Sequence, residues 1–273
     1  MSSEHLIIQI KSSTNKLDTL EKVRQIINLN IRDSVNFIIL PECFNCPYGI
    51  KYFKEYAEEL IISPKNPTIQ MLHEISVDYS DIYIIGGTIP EKDGDKYYNT
   101  CTVWLGGKII ASYRKIHLFD INIPDKVKFI ESDILSPGST PTIIETPYGK
   151  VGLGICFDLR FNNLSNYYAH HDCDIIVYPG SFTQYTGKLH WELLLRARAV
   201  DSQCWIIGVS TALNKELDYH SYGHSMVVEP WGKIVSPQIE DEETVFIAKI
   251  NINECKYFQN NIPIKANIVE LFK

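Results

Sequence analysis

Three short segments of this 273-residue chain each place a reactive side chain directly after an apolar, strand-like run. In open α/β sheets, sites form at the carboxyl ends of strands, so this placement marks the three as candidates. Glu42 follows Phe37-Ile38-Ile39-Leu40-Pro41. A carboxylate there is expected to be partly desolvated, which raises its pKa and suits it to proton transfer near neutrality. Lys115 follows Ser112-Tyr113-Arg114. Neighbouring residues on a continuing strand point to opposite sides, so one of Arg114 and Lys115 faces a pocket. Cys156 stands in Val151-Gly152-Leu153-Gly154-Ile155-Cys156-Phe157-Asp158. The glycines permit a tight elbow that exposes the sulfur and aims the following N–H groups at a developing oxyanion. A free thiol is only about a few per cent thiolate at neutral pH, so it needs a base or a cation, and the chain supplies one of each in equivalent positions.

Taken singly, each residue has an ordinary reading as a solvated carboxylate, a surface basic pair or a buried structural thiol. The conjunction is what points to chemistry. Two other clusters do not: Cys43-x-x-Cys46 lacks a second pair, and a helix end with a polar turn explains His170-His171-Asp172-Cys173-Asp174, so no metal is expected at either. Arg160 is expected to pair with Asp158 or another local acid and so hold the elbow.

The elements that must position these residues are legible in the hydrophobic pattern. Strands are expected at Leu6 to Ile10, Phe37 to Leu40, Ile82 to Thr88, Thr102 to Leu105, Lys108 to Tyr113, Thr142 to Glu145, Val151 to Ile155, Ile175 to Tyr178, Trp205 to Ser210, Met226 to Val228 and Val245 to Ile250. Leu17, Leu20, Val23, Ile27 and Ile31 form one helical stripe, and Leu189, Leu193, Ala197 and Val200 another, with Glu192 and Arg196 paired on a different face. Weaker helical patterns lie at Ile69 to Val77 and Leu164 to Tyr168. Eleven strands are too many for one comfortable open sheet, so two stacked mixed sheets with outer helices are expected, in one unit spanning residues 1–273.

Composition bounds the partners. At 45% hydrophobic and 22% charged, the chain is neither disordered nor fibrous, and a net charge of -7 argues against nucleic acid or anionic lipid. No apolar run approaches the roughly 18 residues of a membrane span. With no basic or amphipathic leader before Leu6 and an odd count of seven cysteines, a reducing, cytoplasmic setting without a disulfide framework is expected.

The motifs Leu40-Pro41-Glu42, Tyr113-Arg114-Lys115 and Gly154-Ile155-Cys156-Phe157-Asp158-Leu159-Arg160-Phe161 together resemble the nitrilase, or carbon-nitrogen hydrolase, superfamily. The likeness runs on through Gly86-Gly87, Leu135-Ser136-Pro137-Gly138, Tyr178-Pro179-Gly180 and His190-Trp191 to Gly223-His224-Ser225. Pro41 to Gly49 and Tyr113 to Asp120 look most like the omega-amidase branch. The resemblance implies a four-layer αββα sandwich, a homodimer, and no metal or organic cofactor. It makes Cys156 the nucleophile, Glu42 the general base and acid, Lys115 and the Phe157 N–H the oxyanion donors, and Glu131 a supporting carboxylate. The branch implies hydrolysis of the terminal amide of 2-oxoglutaramate or 2-oxosuccinamate through a cysteine thioester. Such a substrate carries a distal carboxylate that needs a donor or cation, for which Tyr48, Arg160 and Tyr185 are candidates. Rival readings are a related amidase for deaminated glutathione or an N-carbamoyl compound, and a catalytically silent binding protein on the same fold. The tail from Asn261 to Lys273 departs from the basic, aromatic ending expected of the branch.

Overall fold

The computed structural model describes residues 2–125 and 127–264. Most of the tail that departs from the branch pattern, residues 265–273, therefore lies outside the described residues. The first strands are β1 (Ser2–Gln9), β2 (Val35–Ile39), β3 (Tyr83–Asp93), β4 (Lys96–Leu105), β5 (Lys108–Arg114), β6 (Asp120–Ile123) and β7 (Val127–Ile130). There follow β8 (Thr142–Thr146), β9 (Gly149–Leu153), β10 (Ile175–Gly180), β11 (Trp205–Ser210), β12 (Met226–Val228) and β13 (Thr244–Asn251). The helices are α1 (Lys16–Asn30), α2 (Ile50–Tyr56), α3 (Pro67–Asp78), α4 (Asn162–His170), α5 (Gln184–Ser202) and α6 (Asn253–Asn261).

A six-stranded sheet has the order β13-β1-β2-β3-β4-β5, and a five-stranded sheet the order β12-β11-β10-β9-β8. Both are mixed: β1, β2 and β3 run parallel, as do β9, β10 and β11, while the outer pairs are antiparallel. Period-two alternation explains how the sheets stack. Ile7, Phe37, Ile39 and Ile85 pack toward the second sheet with Leu153, Ile175 and Val177. Their neighbours Leu6, Ile8, Ile38 and Ile84 face the other way, against Leu20, Val23 and Ile27 of α1 and Ile69, Leu72 and Ile75 of α3. On the far side, Tyr168 of α4 and Trp191, Leu195 and Ala199 of α5 cover the second sheet. The result is the expected αββα sandwich.

The structure corrects several expectations. All eleven expected strands form, but β4 begins at Lys96, six residues before the expected Thr102. Its first half is a run of polar and aromatic residues whose buried positions are set by pairing with β3. The β6–β7 hairpin and helices α2 and α6 go unread, each being short and weakly patterned. On α5 the expected apolar stripe is the exposed face: Leu189, Leu193 and Val200 are 55%, 64% and 46% exposed. The core side belongs to Trp191, whose Nε1 donates to His224 O at 2.7 Å, and to Leu195 and Ala199. This helix is apolar on two sides, and periodicity alone does not say which is covered. Leu17, at the start of α1, is likewise exposed. The Glu192–Arg196 pair forms at 3.2 Å.

One buried group makes the sandwich acid-sensitive. His5 on β1 is stacked on Phe37 at 4.5 Å, with Nε2 2.8 Å from Ser3 Oγ, and burial holds its pKa at about 3, down from 6.5. The folded imidazole stays neutral while the unfolded chain takes up a proton near pH 6.5, so the unfolded state binds more protons and stability falls as pH falls from 6.5 toward 3. The slope from this group is about 1.4 kcal/mol per pH unit. Urea denaturation of His5→Phe across that range should show a shallower acid limb; the parent's slope in the variant would exclude His5 as its source.

Candidate active site

Each candidate side chain is held by the loop that ends its strand. After β2, Leu40 N donates to Ile85 O at 3.0 Å and Thr88 N to Pro41 O at 3.1 Å, pinning the turn into Glu42 against β3. Gly87, with φ of +59°, is required there, because a Cβ would lie 2.2 Å from Pro41 O. Lys115 directly follows β5, and its N donates to Asn99 O at 2.8 Å. Arg114 and Lys115 do diverge: Arg114 reaches Glu91 at 2.6 Å and Asp93 at 2.8 Å, away from the site. The hairpin β6–β7 delivers Glu131 as the first residue after β7.

These three side chains form one buried cluster. Lys115 Nζ lies 3.0 Å from Glu42 Oε1 and 2.9 Å from Glu131 Oε2, and all three are fully buried. Glu131 is fixed further by Phe119 N at 2.6 Å and by the Tyr48 hydroxyl at 3.2 Å. Burial by itself would push Lys115 down, but Glu131 and Glu42 hold it well above the ordinary lysine range. Burial pushes Glu42 up, Lys115 pulls it back, and Glu131 raises it again. One cation thus faces two carboxylates, and Glu42 is the carboxylate poised to accept a proton. Its Oε2 is buried without a hydrogen-bond partner.

The Cys156 thiol adjoins this cluster, interacting with Glu42 and Lys115. After β9, Gly154 N donates to Val177 O at 3.0 Å, and a Cβ on Gly154 would meet the Tyr178 ring at 2.4 Å. Cys156 itself has φ of 46° and opens a 3₁₀ turn to Arg160, where the first N–H groups, Phe157 among them, lack helical acceptors. Strain of this kind persists where the surroundings over-determine it. Here Asp158 does so: its buried carboxylate accepts from Ile155 N at 2.9 Å, Tyr113 OH at 2.7 Å and His117 N at 2.9 Å, tying the elbow to the end of β5. Burial and Glu42 raise the Cys156 thiol well above its ordinary range, while Lys115 and the Ser181 N–H pull the other way.

Arg160 departs from expectation. Asp158 is occupied by Tyr113, His117 and Ile155, and among the described residues no carboxylate forms an ion pair with Arg160. Its Nη1 lies 3.2 Å from His190 Nδ1, and its guanidinium sits 5.0 Å from the Phe182 ring and 5.6 Å from the Phe157 ring. It lines the pocket of Cys156 with Phe119, Ser181 and Thr186. Tyr48, its hydroxyl 3.4 Å from Lys115 Nζ, and Tyr185 both line a second cleft of about 640 Å³, together with Tyr52, Phe129, Tyr219 and Lys128. Tyr48 and Tyr185 therefore share one cleft, and Arg160 lies in the other, beside Cys156.

Asn99 escapes the sequence reading. Its Nδ2 donates to Glu42 Oε1 at 2.8 Å and to Glu131 Oε1 at 3.4 Å, bridging the two carboxylates behind Lys115. The available signal was an asparagine inside a strand, in the half of β4 that the hydrophobic pattern does not show. Cys43 and Cys46 lie in one buried turn, and among the described residues no group of three or more His, Cys, Asp or Glu side chains is placed to hold a metal. No helix among the described residues is long and apolar enough to cross a membrane.

Residues 7–259 match the family model for carbon-nitrogen hydrolases. The chain is 44% identical over 259 residues to the omega-amidase NIT2 of Homo sapiens, covering 94% of this chain and 92% of that one. It is 44% identical over 260 residues to the omega-amidase NIT2-B of Xenopus laevis, covering 95% and 92%. The crystal structure of Saccharomyces cerevisiae Nit3, a member of branch 10 of the nitrilase superfamily, superposes with a TM-score of 0.86 at 36% identity, covering 99% of this chain and 97% of that one. The family model over residues 7–259 and relatives 44% identical over nearly the whole chain place it in the carbon-nitrogen hydrolase family.

Proposed function

We propose that this chain is an omega-amidase that hydrolyses the terminal amide of 2-oxoglutaramate or 2-oxosuccinamate, releasing ammonia and the 2-oxo dicarboxylic acid. The relatives named omega-amidase support the substrate class. The observation that carries the chemistry is the buried Lys115 between two carboxylates, one of which, Glu42, interacts with the Cys156 thiol. Residues 1–273 act as one carbon-nitrogen hydrolase domain.

Because burial keeps Cys156 a neutral thiol, deprotonation accompanies attack. Glu42 takes the thiol proton as sulfur adds to the amide carbon, and the carbonyl electron pair moves to oxygen. The Lys115 ammonium and the Phe157 N–H hold that oxyanion. The carbonyl re-forms, the C–N bond breaks, and Glu42 returns its proton to the departing ammonia. A thioester on Cys156 remains. Glu42 then removes a proton from water as the water oxygen attacks the thioester; as the second oxyanion collapses the C–S bond breaks, and Glu42 returns that proton to the departing sulfur, restoring the thiol. Glu131 and Tyr48 orient Lys115 through both stages.

Arg160 is the best of the three candidates for the distal carboxylate. It lines the Cys156 pocket, is partly buried, and has aromatic and imidazole neighbours in place of an acid. Burial lowers its pKa, but a guanidinium stays charged in a folded protein. Tyr185, on the outer cleft, would meet substrate during entry. The exposed Leu189, Leu193 and Val200 face of α5 supports a homodimer built on that helix, and a thiol nucleophile suits the reducing cytoplasm.

Cys156→Ala should fold, as judged by circular dichroism, and release no ammonia above background; parent turnover in that variant would refute the thioester route. A panel of 2-oxoglutaramate, deaminated glutathione and an N-carbamoyl amino acid, ranked by kcat/KM, should favour the first, and preference for either other substrate would replace the omega-amidase reading. Arg160→Met should lower kcat/KM for 2-oxoglutaramate by about 10- to 100-fold, as expected for loss of a charge-assisted hydrogen bond. An uncharged amide of the same length should lose little, and equal losses would remove Arg160 from carboxylate recognition.

A further inference from the structure

Ser181 is the residue after β10, and its backbone N–H points at the Cys156 sulfur, 3.5 Å away. Its hydroxyl belongs to a closed ring. Ser181 Oγ lies 2.8 Å from Thr211 Oγ1 and 2.7 Å from Ser221 Oγ, and Thr211 Oγ1 lies 2.8 Å from Ser221 Oγ. All three residues are buried. Each hydroxyl has one proton and can both donate and accept, so three protons serve three bonds around the ring.

The ring joins three stretches of chain at the site. Thr211 follows β11 and its N donates to Gly180 O at 3.2 Å. Ser221 bridges Thr183, and Tyr222 N donates to Phe182 O at 2.8 Å. From the same loop as Ser221, the Tyr219 hydroxyl donates to Ser181 O. Ser181 is thus held through its side chain and its carbonyl, which leaves its N–H aimed at the sulfur. Burying hydroxyls costs free energy that pairing roughly returns, so the net gain of such a ring is geometric definition more than stability.

We propose that Ser181 is a positioning residue for the nucleophile: its N–H holds the Cys156 sulfur, and the Ser181–Thr211–Ser221 hydroxyl triangle holds that N–H in place. As Glu42 removes the thiol proton, negative charge grows on sulfur, and a fixed N–H donor stabilises it more than it stabilises the thiol. In the thioester the same donor keeps the sulfur turned so that the acyl oxygen faces Lys115. The proposal rests on the reading of Cys156 as the nucleophile, and it adds a backbone donor to the sulfur besides Glu42 and Lys115.

The test is the pH dependence of Cys156 alkylation by iodoacetamide, followed by peptide mass spectrometry, with kcat and KM for 2-oxoglutaramate measured beside it. Thr211→Val breaks two sides of the triangle and keeps the residue's shape. It should slow alkylation at pH 7 by about 3- to 10-fold, move the profile to higher pH, and lower kcat by about 10-fold with KM nearly unchanged. Thr211→Ser keeps the hydroxyl and should restore all three. If Thr211→Val does not fold, Ser221→Ala, which deletes one buried oxygen, is read by the same criteria. A folded variant with the parent's alkylation profile and kcat would overturn the proposal, as would failure of Thr211→Ser to restore them. Alkylation needs no substrate: a parent that releases no ammonia, with alkylation still slowed in Thr211→Val, would overturn the amidase reading and leave this one standing.

Discussion

One ammonium group buried between two carboxylates governs how the rest of the site is built. Removing an isolated charge from water costs several kcal/mol, and only close, well-directed partners make the burial tolerable. Lys115 has Glu42 and Glu131 within 3.0 Å, and the cluster carries one more negative group than positive. That imbalance gives the arrangement its chemistry. In the proposed mechanism Lys115 stays charged to meet an oxyanion, and Glu42, whose pKa burial raises, is the carboxylate to which a proton moves. Asn99 and Tyr48 stand behind the pair and limit how the three groups can relax.

Three groups from separate loops hold such distances only if the fold fixes them. The turn before Glu42 is pressed on β3 at Gly87, Lys115 is tied to β4 through Asn99 O, and Glu131 arrives on a hairpin anchored at Phe119. Asp158 then joins the nucleophile's elbow to Tyr113 and His117 on either side of Lys115. Cys156 and Lys115 therefore share one buried carboxylate as a mechanical link, although they come from different sheets. A Cys156 that is strained in φ and raised in pKa suits the proposed route, in which the base acts as attack proceeds.

The sequence is most legible where a residue's environment is local. Strand ends bearing Glu42, Lys115 and Cys156, and the alternation that stacks the two sheets, follow from short runs of neighbours. What escapes depends on distant partners. Asn99 belongs to a stretch of β4 shaped by pairing with β3. The covered face of α5 is chosen by Trp191 reaching His224, not by its leucine stripe. Arg160 loses its expected acid because Asp158 is already filled from β5 and the residues after it. The hydroxyls of Ser181, Thr211 and Ser221 are unremarkable in sequence and meet only when three loops converge.

The central claim is that Glu42 and Lys115 work as one unit, and single-turnover acylation measures it directly. Glu42→Gln removes the base and should slow acylation by about 10²- to 10⁴-fold, and Lys115→Met removes the cation and should cost about 10²- to 10³-fold. The account predicts that the double variant loses far less than the product of the two, since each group has its effect through the other. Losses that multiply fully would show two independent groups and contradict the buried ion cluster as the source of catalysis.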